Sequence, residues 1–69
     1  MTYGEAWSCV SIMRSSTPIA VRRWRWDFAH HMAMGEYRSA SNYLAYLNEI
    51  EGVKIDPRAW AVLALEGVL

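Results

Sequence analysis

Met34-Gly35-Glu36-Tyr37 separates two stretches of helical periodicity, and the reading of this tetrapeptide decides the fold. A glycine directly after a periodic apolar run reads as the left-handed C′ residue that ends a helix. Only glycine enters that conformation without a Cβ penalty. The pair Gly35-Glu36 then lets a second helix begin at once. Upstream, Pro18 to Ala33 is rich in Trp and Arg; downstream, Arg38 to Glu51 is rich in Tyr and Leu. The expected unit is an αα-hairpin over residues 18–51, with the rest of the chain packed onto it.

Thr17-Pro18 marks the start of the first of these helices, a capping hydroxyl followed by proline at the first helical position. Val21, Trp24, Phe28, His31 and Met32 then share one stripe. Arg22, Arg25 and Ala29 fall largely opposite, with Trp26 at the flank. A strand competes for Ile19–Trp26, because Arg23 and Arg25 alternate with Trp24 and Trp26 and Val21 is β-branched. The unbroken continuation through Phe28–Met34, which has no β-branched residue, favours helix. After the turn, Tyr37, Ala40, Leu44 and Leu47 form a stripe widened by Tyr43, Tyr46 and Ile50. Arg38, Ser41, Asn42, Asn48 and Glu49 occupy the remainder, and Glu51-Gly52 closes the helix.

Outside the hairpin, Thr2-Tyr3-Gly4-Glu5 fits a capping box. Tyr3, Ala6, Trp7, Val10 and Met13 then share a stripe opposite Ser8, Ser11 and Arg14, and Ser15-Ser16 forms a linker. Beyond Gly52, Val53-Lys54-Ile55 reads as an extended connector, and Asp56-Pro57 starts a last helix expected to occupy residues 57–69. From Arg58 to Leu69, only Arg58, Glu66 and Gly67 lack an apolar side chain. A helix apolar on every side must be buried on every side, which so small a chain does not achieve alone. Trp60, Leu63, Leu65, Val68 and Leu69 are therefore the expected contacts of a homodimer.

Trp24, Gly35, Tyr37, Ala40 and Leu44 stand at spacings that resemble a single tetratricopeptide repeat. The resemblance implies helix–turn–helix packing with the small Ala40 at the crossing. Phe28, beside Asp27, stands where that family carries a small glycine, and Pro57 comes about five residues later than the family's terminal proline. No second copy follows, although such repeats are stable only when about three or more stack. The likeness extends to the hairpin and not to a peptide-binding array.

The totals set further bounds. A chain of 69 residues forms one domain, 1–69. A single core at this size contributes only ~3–5 kcal/mol, and disulfides, metals or oligomerisation usually supplement it. Cys9 is the only cysteine, so no internal disulfide forms, and a lone thiol suits a reducing compartment. Structural zinc needs about four ligands. Cys9, His30 and His31 are the only soft candidates, and adjacent histidines on a helix point about 100° apart. One of the two is expected on the surface and the other half-buried. Neither metal nor cofactor is expected, which leaves oligomerisation. The hydrophobic fraction of 54% agrees, since ordinary globular chains hold roughly 45–50%. Seven basic residues balance seven acidic ones, so no net field draws the chain to nucleic acid or anionic lipid. There is no signal-peptide pattern and no apolar run approaching the ~18 residues of a membrane span, so a cytoplasmic protein without membrane contact is expected.

No phosphate-binding glycine loop, serine-nucleophile motif or paired carboxylates appear, and Glu49 and Glu51 do not face one another on a helix. Catalysis is not expected. Arg22-Arg23-Trp24-Arg25-Trp26 combines the two residue types that dominate protein hot spots, and Arg with Trp also suits phosphate contact with base stacking. Trp24 in the core with solvated arginines is the plainer account. Tyr37, Tyr43 and Tyr46 with Asn42 form an aromatic, polar-tipped group suited to recognition or to lining the hairpin. The expected partner-binding residues are Arg22, Arg23, Arg25, Trp26, Tyr43 and Tyr46.

The chain is thus expected to be all-α, three to four short helices on a central hairpin, and dimeric. Its expected role is binding another macromolecule as an inhibitor, adaptor or anti-activator, as many phage and mobile-element regulators do. A small dimeric transcriptional regulator contacting DNA through Arg22, Arg23 and Arg25 is the first alternative. A small-ligand binder with a Trp/Tyr-lined pocket at the dimer interface is the second.

Overall fold

The computed structural model describes residues 1–11 and 17–69, which form four helices: α1 (Tyr3–Ser8), α2 (Pro18–Ala33), α3 (Tyr37–Glu49) and α4 (Pro57–Leu65). Met13, Arg14 and the Ser15-Ser16 linker lie outside the described residues. Among those described there is no strand, and the one β feature is an isolated antiparallel bridge between Val10 and Ile55.

The capping box at α1 forms as the sequence implies. Thr2 Oγ1 accepts from the Glu5 amide at 3.2 Å, and Glu5 Oε1 accepts from the Thr2 amide at 2.9 Å. Those bonds favour the ionised Glu5 carboxyl and hold it below the ordinary carboxylate range. The helix ends at Ser8, however, short of the stripe expected to continue through Val10. A helix of six residues has little stability of its own. Val10 instead leaves it to meet the 53–55 connector: the Asp56 amide donates to the Cys9 carbonyl at 2.9 Å and the Ser11 amide to the Lys54 carbonyl at 3.1 Å. Val10 and Ile55 are both buried where this pairing forms.

Thr17 caps α2, its Oγ1 accepting from the Ala20 amide at 3.1 Å. The helix runs through Ile19–Trp26, so the strand alternative is excluded. Its buried face carries Val21, Phe28, Ala29 and Met32. Ala29, expected to face outward, is fully buried, and the core stripe is rotated accordingly, with Trp24 and His31 only half-buried. An alanine contributes little to a hydrophobic pattern, so the packing around it decides its side.

The turn follows the glycine rule. Gly35 has φ 73°, its amide donates to the Met32 carbonyl at 3.2 Å, and the Glu36 amide donates to His31 at 2.9 Å. These are the two reverse bonds of a Schellman motif, which satisfies carbonyls that α2 leaves open. Residues 34–36 suffice to join α2 to α3. Glu36, the N-cap of α3, makes no capping side-chain bond; its Oε1 lies 2.9 Å from His31 Nδ1 across the turn.

Ala40, Ser41, Leu44 and Leu47 are the buried residues of α3. Ser41 was expected outside and Ile50 on the apolar stripe; Ser41 is buried, and Ile50, at the C-cap beyond the last turn, is exposed. Asp56 caps α4, with Oδ1 accepting from the Arg58 amide at 2.9 Å and Pro57 at the first position. That bond keeps the Asp56 carboxyl below its usual range. The helix stops at Leu65, earlier than the expected end at residue 69, because Gly67 (φ 80°) reverses the chain and Val68 donates to the Leu63 carbonyl at 3.2 Å.

Phe28, Leu44, Leu47, Leu63, Val10, Val53 and Cys9 are the largest fully buried side chains. Burial pushes the Cys9 thiol upward, away from the reactive thiolate. Among the described residues no buried side-chain N or O lacks a hydrogen-bond partner.

Candidate partner-binding surface

Ile19, Arg22, Arg23, Trp26 and His30 follow helical spacing along one side of α2, and all five are exposed. Trp26 is 51% exposed, and its ring stacks on that of His30 with centroids 5.1 Å apart and planes 9° apart. From His30 the contact passes edge-on to His31 at 6.5 Å, and from His31 to Tyr43 of α3 at 6.2 Å. Tyr43 in turn lies 6.2 Å from Tyr46, which is 44% exposed. Five rings therefore form one continuous path across the two helices, with its ends open to solvent. The sequence presents Trp26 and the tyrosines as separate groups. The adjacent histidines join them, and the signal for His30 was its position four residues after Trp26.

Polar tips along this path are held in place. Tyr43 Oη donates to Asp27 Oδ2 at 3.1 Å, and the same carboxylate oxygen lies 3.5 Å from Arg23 Nε. Burial, with the Asp27 charge second, raises the Tyr43 phenol above its ordinary range. Tyr46 Oη donates to Glu51 Oε1 at 2.7 Å, which also raises its pKa. Both phenols donate to a carboxylate, and these bonds orient the two rings. Ring positions set before a partner arrives reduce the ordering cost of binding. The Arg23–Asp27 pair is solvent-exposed on the arginine side and contributes little to stability.

Arg25 stands apart from the other candidate contacts. It is half-buried, and its Nε donates to the Val10 carbonyl at 2.8 Å. The side chain ties α2 to the segment that pairs with Ile55, and it is not displayed beside Arg22 and Arg23. The DNA alternative needs all three guanidiniums on one surface and so loses one. Arg25→Ala is expected to cost about 1–2 kcal/mol, the worth of a partly exposed hydrogen bond from a charged donor. A thermal melt would show this as a fall in Tm of roughly 5–15 °C. Arg22→Ala should move the same melt by no more than about 0.5 kcal/mol. Equal melts for the two variants would contradict the assignment.

A groove of about 560 Å³ runs beside this face, lined by Trp7 of α1 and Ile19, Trp24 and Trp26 of α2, with Arg22 and Arg23 along it. No tyrosine lines it, unlike the Trp/Tyr pocket of the small-ligand alternative.

The residues assigned to an oligomer contact divide. Leu63 is fully buried within the single chain and belongs to its core, not to a surface. Trp60 and Val68 are partly buried against that core. Leu65, 87% exposed, and Leu69 remain on the outside. Among the described residues no helix is long and apolar enough to cross a membrane, and no three His, Cys, Asp or Glu side chains cluster as metal ligands.

No protein-family model, curated protein or solved structure matches the chain. The likeness to a tetratricopeptide hairpin accordingly rests on its five residues alone.

Proposed function

We propose that this chain is a small non-catalytic protein that binds another protein and acts by occupying its surface, as an inhibitor, adaptor or anti-activator. The reading treats α2 and α3 as a central hairpin that serves as the platform. It places the contact on the aromatic path from Trp26 through His30, His31 and Tyr43 to Tyr46. That continuous, solvent-open run of pre-set rings is the observation that carries it. Trp and Tyr are enriched at binding hot spots because they offer large rigid area at low entropic cost. A homodimer is part of the reading, supported by the apolar residues that α4 leaves outside, Leu65 above all. The single, buried thiol suits the cytoplasm.

The test is affinity capture from the native host with the unmodified chain and with a Trp26→Ala/Tyr46→Ala variant. Both positions are on the surface, so circular dichroism should show the same fold. A protein retained by the former should bind the double variant at least ~100-fold more weakly, since one hot-spot truncation costs ~2 kcal/mol or more. Equal retention by both forms would sink the reading.

A further inference from the structure

Two features of the fold are left uncovered among the described residues. The first is the groove between α1 and α2, with its tryptophan floor and two arginines. The second is the outer side of α4, where Ala61, Ala64 and Leu65 face solvent and Glu66 follows. They are complementary in two respects. Among the described residues, Leu65 and Ile19 are the most exposed large hydrophobic side chains, at 87% and 82%, and one lies on each feature. Among the described residues no carboxylate lies within ion-pair distance of Arg22, and no cation within that distance of Glu66.

We propose that the α1/α2 groove receives the outer side of α4 from a second copy of this chain, with Leu65 against the groove tryptophans and Glu66 facing Arg22 and Arg23. The proposal rests on the dimer reading above and specifies its geometry. Both surfaces belong to every copy, and the proposal takes the closed arrangement, in which a two-fold axis makes the contact twice, each chain giving a helix and accepting one. Doubling matters for so small a protein. A standard interface buries ~800 Å² per partner, a substantial share of the 4479 Å² this chain exposes. The net charge of zero adds no long-range repulsion between copies. Pairing α4 with α4 would cover Leu65 but leave Ile19 and the groove open. A foreign acidic, apolar segment would match the groove equally well but leave Leu65 bare. A groove-to-α4 contact between copies covers both. Trp26 belongs to both this contact and the aromatic path, so a different protein that engages the path competes with the second copy for it.

Sedimentation and cross-linking test this together. Ile19→Cys and Leu65→Cys are made separately, both at exposed positions where the fold tolerates change, and mixed in equal amounts with a short bismaleimide. The native Cys9 is fully buried, and the unsubstituted protein serves as the control for its silence. A dimer by sedimentation, with a cross-link in the mixture between position 19 of one chain and position 65 of the other, is the expected result. A dimer that cross-links only within the Leu65→Cys sample, or only within the Ile19→Cys sample, overturns the docking but leaves the dimer reading standing. A folded monomer at all concentrations overturns both. Independently, Arg22→Glu and Glu66→Arg should each weaken the dimer about tenfold, and mixing the two variants should restore association through the exchanged charges. No restoration on mixing would also overturn the proposal.

Discussion

Leu63→Glu is expected to leave the chain unfolded at 25 °C, whereas Leu65→Glu, two positions on, should leave it folded. The two leucines are indistinguishable as sequence, both lying in the apolar run after Pro57. In the structure Leu63 is fully buried beside residues such as Leu44, Leu47 and Val53, while Leu65 is 87% exposed. An ionised carboxylate in place of Leu63 meets no cation in that cluster. Burying such a charge costs several kcal/mol even after relaxation, and a core of this size contributes only ~3–5 kcal/mol. Protonating the glutamate instead would soften the penalty without removing it, since the packing would still be lost. Far-UV circular dichroism and urea titration measure the contrast. Helical signal and a cooperative transition should be absent for Leu63→Glu and nearly unchanged for Leu65→Glu. A Leu63→Glu protein that unfolds cooperatively near the unmodified midpoint would mean that α4 does not pack as described. Leu65→Glu then becomes the informative variant for self-association, because its loss of dimer would not be a loss of fold.

Phe28→Ala should be the most damaging simple truncation. Phe28 is the largest of the fully buried side chains and sits in the middle of α2. Removing a buried phenyl ring costs ~3–5 kcal/mol through lost transfer energy and the cavity left behind. That is comparable to the total stability of a domain this small, so no cooperative melt should remain at 25 °C. The position also separates this hairpin from the repeat family it resembles. Where that family carries a small residue, this chain buries a ring. A fall in Tm of only a few degrees for Phe28→Ala would show that the ring is not the centre of the packing.

What the sequence revealed was what is local. Thr2, Thr17 and Asp56 cap helices because the capping bond spans only two or three residues, and Gly35 ends α2 for a reason contained in its own φ. The same rule applied to Gly67 stops α4 before residue 69, so that boundary is local too. Non-local features were not legible. Val10 continues a helical stripe on paper, and nothing near it in the chain announces that Ile55 will take it out of the helix. Ala29 and Ser41 carry too little hydrophobic signal to indicate their side. For the candidate surface, Trp26, Tyr43 and Tyr46 were visible as residue types suited to contact. Their connection through His30 and His31 depends on how α2 lies against α3. The bond from Arg25 to the Val10 carbonyl was not legible either, because a guanidinium reads as solvated unless a carbonyl from elsewhere meets it.

The bridge between Val10 and Ile55 also orders events in folding. Contacts between α2 and α3 are close in sequence and cost little chain entropy to form. The bridge must instead close a loop containing both helices, and the entropic cost of closure grows with the logarithm of loop length. Its hydrogen bonds are therefore among the last to form. They are also shared: the Asp56 amide is bonded to Cys9 while the Asp56 side chain caps α4. When that pairing opens, Asp56 loses its backbone bond to Cys9 while its side chain still caps α4. Fraying of the segment after α1 is accordingly passed to the start of α4 through this one residue.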